Sequence, residues 1–301
     1  MKKALFQLHI AVFLAGFTAI LGRLIELNEG LLVWYRMLIT VVCLAILLLI
    51  QKQFARIAWQ DLIKLVAVGT LVALHWVTFY GSIKYSNISI ALICFSTIGF
   101  FTAILEPLLL HRKMEFVEIS LGMLTIVGVY LIFNFNPNFK TGIILGLISA
   151  ILSVLFSIFN KKFVARLPVM TITFYELCGG WLILSLLMPF YLDIFPTTYY
   201  LPTLTDWMWL LVLALICTVL AFILQLNALT RLSTFTSNLT YNLEPVYGII
   251  LAFVFFKENK YFNAGFYIGL SLIFAAVILQ MVRILNNQSK KKLVTESLPP
   301  V

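Results

Sequence analysis

Charge is scarce in this chain. Only 11% of its 301 residues are Asp, Glu, Lys or Arg, whereas 62% are hydrophobic and the mean hydropathy is +1.04. A soluble domain could not bury this much apolar surface in a single core. In lipid, each segment must satisfy its own backbone polar groups, which a helix does. The sequence therefore predicts an all-α integral membrane protein.

Residues that carry out chemistry are few as well. The chain has three histidines, and it contains neither a G-x-x-x-x-G-K-[ST] nor an H-E-x-x-H motif. Its four cysteines, Cys43, Cys94, Cys178 and Cys217, fall in apolar segments without metal-ligand spacing. We therefore expect no metal, no cofactor and no enzyme. An intramembrane lipid-modifying enzyme is the alternative from another class, although such an enzyme needs clustered carboxylates or metal ligands.

Long apolar runs, in contrast, fill the chain. A helix that crosses the hydrocarbon layer needs about 20 mostly apolar residues. The sequence predicts ten such transmembrane helices: Ala4–Leu24, Gly30–Ile50, Leu62–Ile83, Ile88–Leu110, Phe116–Asn134, Gly142–Phe159, Met170–Leu192, Trp207–Leu229, Thr234–Phe256 and Phe262–Ile284.

The basic residues are concentrated on alternate connections between these spans. If the N-terminus is cytoplasmic, fifteen Lys and Arg residues lie on the inner side and five on the outer side, with Arg36 inside a span. Such a bias orients the chain with both termini in the cytoplasm. We therefore expect a multi-pass protein of the plasma (inner) membrane, and the net charge of +9 does not indicate nucleic-acid binding.

The chain is predicted to consist of two similar halves, residues 5–134 and 142–284, followed by a polar cytoplasmic tail of residues 285–301 that is expected to be disordered. A shift of 147 residues aligns Gly122 with Gly269. Because each half holds five spans, an odd number, the two halves form inverted five-helix repeats. Such repeats are typical of secondary transporters, whose substrate site lies between the repeats near the bilayer midplane. We expect the N-terminal segment to be retained, because its cleavage as a signal would remove the first span.

Short motifs accompany this layout. Trp34-Tyr35-Arg36 lies early in the second span, Leu243-Glu244-Pro245 lies in the ninth, and glycine-led apolar ends occupy the fifth and tenth spans at Gly122–Ile132 and Gly269–Leu279. Together with the two five-span halves, these motifs resemble the EamA type of the drug/metabolite transporter superfamily. The resemblance covers nearly the whole chain.

The resemblance implies a basket-like bundle of ten helices around a central cavity, with the fifth and tenth spans at its periphery. It also implies export of small organic metabolites, such as amino acids or related compounds, by alternating access. The energy would come from a proton or another gradient. A permease for sugars or nucleobases is the alternative within transport.

The first half departs from the family pattern in its fourth span. Ser96-Thr97-Ile98 lacks the proline often found there, whereas Glu106-Pro107 follows ten residues later. Proline removes a helical hydrogen bond and bends a helix. We therefore expect helix kinks at Pro107 and at Pro245.

Ionisable residues inside spans are costly, so each is a candidate functional site. Glu244 lies near mid-membrane, where it could exchange a proton, receive a cationic group or only bond a neighbouring helix. Arg36 and Glu176 occupy matching places in the second and seventh spans. They could serve as charge partners of a substrate or ion, or both could extend to the nearest interface.

Other polar and aromatic side chains of the third, fourth, eighth and ninth spans are predicted to line the substrate cavity. In the third span, His75 shares a helix face with Phe79, and Trp76 shares one with Tyr80. The predicted lining comprises His75, Trp76, Phe79, Tyr80, Ser96, Thr97, Gln225, Asn227, Asn238, Tyr241, Asn242 and Glu244. The expected partners are a small-molecule substrate and the lipid bilayer. The protein is expected to be a monomer or a homodimer, since Gly265 and Gly269 could pack helices within one chain or between two.

Overall fold

A computed structural model describes residues 2–52, 56–111, 113–135, 137–164, 166–221, 223, 224, 228 and 243–296. Every regular element in these ranges is helical. The helices are α1 Lys2–Leu24, α2 Glu29–Ile50, α3 Trp59–Tyr85, α4 Ile88–Phe95, α5 Ile98–Leu110, α6 Phe116–Phe135, α7 Lys140–Val164, α8 Val169–Ile194, α9 Leu204–Leu211, α10 Glu244–Phe256 and α11 Ala264–Glu296. A π-helix, Val212–Leu220, continues α9.

Six helical segments are long and apolar enough to cross a membrane: Lys3–Leu24, Glu29–Ile50, Trp59–Tyr85, Ile88–Leu110, Lys140–Asn160 and Val169–Ile194. Four shorter apolar helices lie where the fifth, eighth, ninth and tenth spans were predicted: Phe116–Ile132, Leu204–Leu220, Glu244–Phe256 and Ala264–Leu279. The prediction of an all-helical membrane protein is thus confirmed. The count of ten spans and the inversion of the halves stay predictions.

Two short helices correspond between the halves. Both α5 and α10 are 13 residues long. Each ends at a non-glycine residue in the left-handed region, His111 with φ 52° and Lys257 with φ 53°. These two caps are 146 residues apart, close to the shift that aligns the two halves of the sequence.

The packing also follows the repeat. The third span packs on the sixth and seventh (α3 on α7 and α8), and the eighth packs on the first and second (the π-helix on α1 and α2). The fourth span packs on the sixth (α4 and α5 on α7), as the ninth does on the first (α10 on α1). Each contact maps onto another when the halves are exchanged. The most extensive of the described helix contacts therefore join the two predicted halves.

Two helix crossings bring backbones together at glycines. A Cβ added at Gly69 of α3 would collide with the carbonyl oxygen of Glu176 on α8, and one added at Gly128 of α6 would lie 2.7 Å from the Gly269 carbonyl oxygen on α11. Close approach of this kind is how small residues join membrane helices. Gly269 therefore packs within the chain, and α11 packs chiefly on α6.

The fourth predicted span is interrupted at Ser96 and Thr97, not at its proline. The Ser96 hydroxyl donates to the Ile93 carbonyl at 2.6 Å, and the Thr97 hydroxyl donates to the Cys94 carbonyl at 2.5 Å. Side-chain hydroxyls that bond nearby carbonyls compete with the helix ladder. Pro107 lies inside α5. Pro245 lies in the first turn of α10, where the helix needs no donor from it.

The C-terminal helix is longer than predicted. The tenth span was expected to end at Ile284 and the polar tail to be disordered, but α11 continues to Glu296. No glycine or proline interrupts residues 285–296, so the sequence has no strong helix-breaking residue there. The expectation of disorder is therefore wrong for those residues, and residues 297–301 lie outside the described part.

Candidate functional site

Arg36 is buried where α2 meets helices from both halves. Only 4% of the residue is exposed. Its Nη1 donates to the Tyr80 hydroxyl at 2.7 Å, and its Nε and Nη2 donate to Thr218 Oγ1 at 3.2 and 3.0 Å. Tyr80 lies on α3 of the first half, and Thr218 lies in the π-helix of the second. The guanidinium is therefore held by both halves.

The π-helix fixes the direction in which Thr218 bonds. The Thr218 hydroxyl donates to the carbonyl of Leu213, five residues earlier, at 2.8 Å. A hydroxyl has one proton and two lone pairs, so its remaining capacity is to accept from Arg36. Wide turns of this type often occur at functional sites.

One face of the Arg36 guanidinium lies on an aromatic ring. Its central carbon is 3.8 Å from the centre of the Trp76 ring, within the range of a cation–π interaction. The predicted pairing of Trp76 with Tyr80 on one face of α3 is confirmed, because both contact Arg36.

Among the described side chains, no carboxylate neutralises Arg36. All acidic side chains of the chain except that of Glu296 are described, and among the described residues none forms an ion pair with Arg36. A guanidinium has five N–H donors, of which three are engaged. Two donors and a full positive charge therefore remain available to an anionic group.

The burial of Arg36 and Glu176 favours a role inside the bundle over extension to the membrane interface, and that role stays a prediction. Both residues are buried, with 4% and 5% exposed. The side chain of each bonds a polar residue of another helix, Thr218 and Asn160 respectively. These hydrogen-bond partners hold the two ionisable groups inside the bundle.

A small cavity lies beside this cluster, between α2, α8 and the π-helix. Its lining includes Thr40, one turn from Arg36, and Thr218 itself, and the remaining lining residues are Leu44, Met170, Thr173, Val219 and Ile223. The volume is about 10 Å³, which holds about one water molecule. Ligand pockets are far larger, roughly 300–1,000 Å³. Among the described residues, the space beside Arg36 is thus closed to a metabolite.

His75 lies in a second buried cluster between α3 and α7. Its Nδ1 is 2.8 Å from Ser149 Oγ and 3.0 Å from the Ser149 carbonyl oxygen. Because the Ser149 hydroxyl donates to the His75 carbonyl, both neighbours act as acceptors, which places the ring proton on Nδ1 and leaves Nε2 as an acceptor. Phe79, Phe95 and Phe156 surround the imidazole at 5.4 to 6.2 Å between ring centres. The shared face of His75 and Phe79 is confirmed.

Glu176 and Asn160 form a third buried cluster. The Asn160 Nδ2 donates to Glu176 Oε2 at 3.1 Å. Glu176 Oε1 and Asn160 Oδ1 are buried and have no hydrogen-bond partner.

The ninth-span candidates are only partly visible. Glu244 begins α10 and is half-buried, and its carboxylate makes no hydrogen bond or ion pair to a described side chain. The predicted residues Gln225, Asn227, Asn238, Tyr241 and Asn242 lie outside the described residues, so their place in the cavity stays a prediction. The hydroxyls of Ser96 and Thr97 bond the backbone of α4.

The family model of the EamA-like transporter family matches this chain twice, at residues 2–134 and 140–282. The chain belongs to the EamA-like transporter family. This family is part of the drug/metabolite transporter superfamily, so the resemblance found in the sequence is confirmed. The two matched ranges together span both predicted halves.

Individual relatives agree with this membership. The chain is 27% identical over 293 residues to the uncharacterized transporter YetK of Bacillus subtilis (strain 168), covering 92% of this chain and 86% of the relative. It is 23% identical over 291 residues to the uncharacterized transporter YxxF of the same organism, covering 93% of this chain and 90% of the relative. A protein crystal structure with 14% identity has the same fold, with a TM-score of 0.62 over 91% of this chain and 95% of that one. The chain is thus a membrane transporter of unspecified substrate.

Sequence reasoning did not find several residues of the buried clusters. Thr218 and Ser149 are single polar residues in apolar runs, and Asn160 precedes two lysines at the end of such a run. Single polar residues of this type usually bond their own helix. Their roles depend on contacts 182, 74 and 16 residues away. No local pattern identifies such partners.

Proposed function

We propose that this transporter is a secondary transporter that exports small organic metabolites, such as amino acids or related compounds, across the plasma membrane. Its two halves alternate access around the centre of the bundle. An ion gradient or a substrate gradient supplies the energy. Both termini lie in the cytoplasm, as the distribution of basic residues predicts.

The observation that carries this proposal is the environment of Arg36. A buried charge is costly unless a group of opposite sign accompanies it, and the described part of the chain provides none. The substrate supplies the missing anion. A carboxylate matches the guanidinium because two oxygens can accept from two parallel N–H donors.

The packing around Arg36 supports alternating access. Tyr80 and Thr218 come from different halves, so a movement of one half against the other changes the surroundings of the guanidinium. The small cavity beside it supports a state in which the centre is closed. In an open state the same groups become accessible to solute.

Polar contacts at the two ends of the bundle support movement of this kind. At the predicted outer end, buried Asp206 accepts from the Glu26 backbone N–H at 2.9 Å. At the predicted inner end, Asp61 pairs with Arg166 at 3.3 Å, and 56% of the Arg166 side chain is exposed. The two aspartates lie in the first turns of α3 and α9 and bond the corresponding connections in opposite halves. Asp206 serves as the gate at the predicted outer end, whereas the exposed Asp61–Arg166 pair is too weak to act as a gate.

A ligand screen followed by a flux assay tests the proposal. The purified protein is heated with amino acids, other carboxylic acids, sugars, nucleobases and organic cations, because a ligand that binds the folded state raises the melting temperature. Stabilising compounds are then tested for counterflow in proteoliposomes. Saturable counterflow of a carboxylate-bearing compound supports the proposal. Stabilisation by sugars or nucleobases alone, or chemical conversion of lipid without flux, contradicts it.

A further inference from the structure

Glu176 lies at a close crossing between α3 of the first half and α8 of the second. Added Cβ atoms at Gly69 of α3 and Gly180 of α8 would each collide with the backbone of the opposite helix, at Glu176 and Gly69 respectively. The Glu176 side chain extends to Asn160 on α7. Three helices therefore meet at Glu176, α3 at its backbone and α7 at its carboxyl group, and the residue is 5% exposed.

Two oxygen atoms of this cluster lack a hydrogen-bond donor. Asn160 Nδ2 donates a hydrogen bond to Glu176 Oε2. Glu176 Oε1 and Asn160 Oδ1 are buried and have no hydrogen-bond partner. Buried polar atoms in folded proteins nearly always have partners, so each exception requires an explanation. Two buried oxygens without a donor, on two residues that bond each other, are suited to a positively charged ligand.

Among the described side chains, no charged group of the neighbouring helices supplies that ligand. On α3, Asp61 pairs with Arg166, Lys64 is exposed, His75 bonds Ser149 and Lys84 donates to the Ile25 carbonyl. Lys140, at the start of α7, is exposed. On α7 the Lys162 ammonium lies over the Phe159 ring, and on α2 the Arg36 guanidinium bonds Tyr80 and Thr218. None of these cations forms an ion pair with Glu176.

The number of ligand atoms limits the cation. Calcium takes six to eight oxygen ligands and magnesium about six in octahedral geometry. The described residues contain no group of three or more His, Cys, Asp or Glu side chains that could hold a metal. A proton, in contrast, requires a single oxygen.

We propose that Glu176, assisted by Asn160, is the site at which this transporter binds its coupling cation, a proton. The proton forms an O–H bond with one carboxyl oxygen, is taken from water on one side of the membrane and is returned to water on the other. Coupling in this sense rests on the proposed transport function. The backbones of α8 and α3 are in contact at Glu176. Movement of either helix therefore changes the surroundings of the carboxyl group and its affinity for the proton.

Infrared spectroscopy of the purified protein in lipid tests the site without any substrate. A protonated carboxyl group gives a C=O stretching band that a carboxylate lacks. We expect a band at neutral pH that is absent in Glu176→Gln, is shifted in Asn160→Leu and is unchanged in Asp193→Asn, an exposed carboxyl on the same helix. A band that survives in Glu176→Gln, or no band in the wild type in the absence of sodium, overturns the proposal of a bound proton.

Two further experiments identify the bound cation and test whether its movement is coupled to transport. If sodium chloride but not choline chloride removes the band, the two oxygens bind sodium, which overturns the proton. For a stabilising metabolite, we expect a pH gradient to stimulate wild-type uptake and to have no effect on Glu176→Gln, while exchange persists. Equal stimulation of both proteins overturns coupling through Glu176. If no metabolite is transported, the proposed function fails, and the infrared result still decides whether Glu176 holds a proton.

Discussion

Replacing Arg36 with methionine separates a structural role of the buried charge from a binding role. The variant loses three hydrogen bonds from a charged donor, to Tyr80 and Thr218, each of which contributes about 1.5–3 kcal/mol. It also removes a buried ion without an ionic partner among the described side chains, whose desolvation costs several kcal/mol, and apolar replacement of buried ions is often neutral or stabilising. We therefore expect a melting temperature close to that of the wild type.

The affinity of Arg36→Met for a carboxylate, in contrast, should decrease strongly. Loss of one partner of a buried, hydrogen-bonded charge pair costs roughly 2–5 kcal/mol, which corresponds to a decrease in affinity of about 30-fold to several thousand-fold. The assay is titration of an amino acid that stabilises the wild type, and of its amide, monitored by thermal shift or calorimetry. The wild type should prefer the carboxylate, and Arg36→Met should not distinguish the two.

Arg166→Met is the matched control. Arg166 is also paired at one end of a helix, but 56% of its side chain is exposed, and exposed ion pairs contribute about 0–1 kcal/mol. We expect unchanged preference for the carboxylate. The reasoning is refuted if Arg36→Met folds and still prefers the carboxylate over the amide as strongly as the wild type does.

Three other substitutions follow from the packing. Thr218→Val removes the acceptor of two Arg36 hydrogen bonds and should weaken carboxylate binding at least tenfold in the same titration; equal affinity would show that Thr218 does not orient Arg36. Gly69→Ala places a methyl group against the Glu176 carbonyl and should destabilise the protein by about 1–3 kcal/mol, measured by thermal melting. Gly99→Ala, where an added Cβ meets nothing within 4 Å, should not destabilise it. Equal melting temperatures of the two variants would contradict the close crossing of α3 and α8. Asp206→Ala leaves the Glu26 N–H without its acceptor and should increase labelling of an engineered cysteine near the predicted outer end; unchanged labelling would count against an outer gate.

The sequence predicted the helices and some contacts within one helix. Apolar runs give the spans because lipid offers no partner to backbone groups. The pairs His75 with Phe79 and Trp76 with Tyr80 follow from the helical period. The clusters that these pairs join, around Ser149 and Arg36, required knowledge of which helices meet.

The positions of the buried charges could not be predicted in the same way. Arg36 and Glu176 lie close enough to span ends that extension to the interface was physically possible. The burial of Arg36 depends on its bond to Thr218, which a π-helical stretch brings close. The burial of Glu176 depends on its bond to Asn160 from the preceding helix. The break at Ser96 and Thr97 was also missed, because proline is the strong signal for a bend and two hydroxyls are a weak one.

Solute counterflow in proteoliposomes tests the central claim most directly. Vesicles loaded with an unlabelled carboxylate-bearing metabolite that stabilises the protein are diluted into the labelled compound. The account predicts transient, saturable accumulation of label with the wild type and with Arg166→Met, and none with Arg36→Met. Accumulation that is equal in all three proteins would contradict the assignment of Arg36, and no accumulation with any stabilising metabolite would contradict transport of this class of compound.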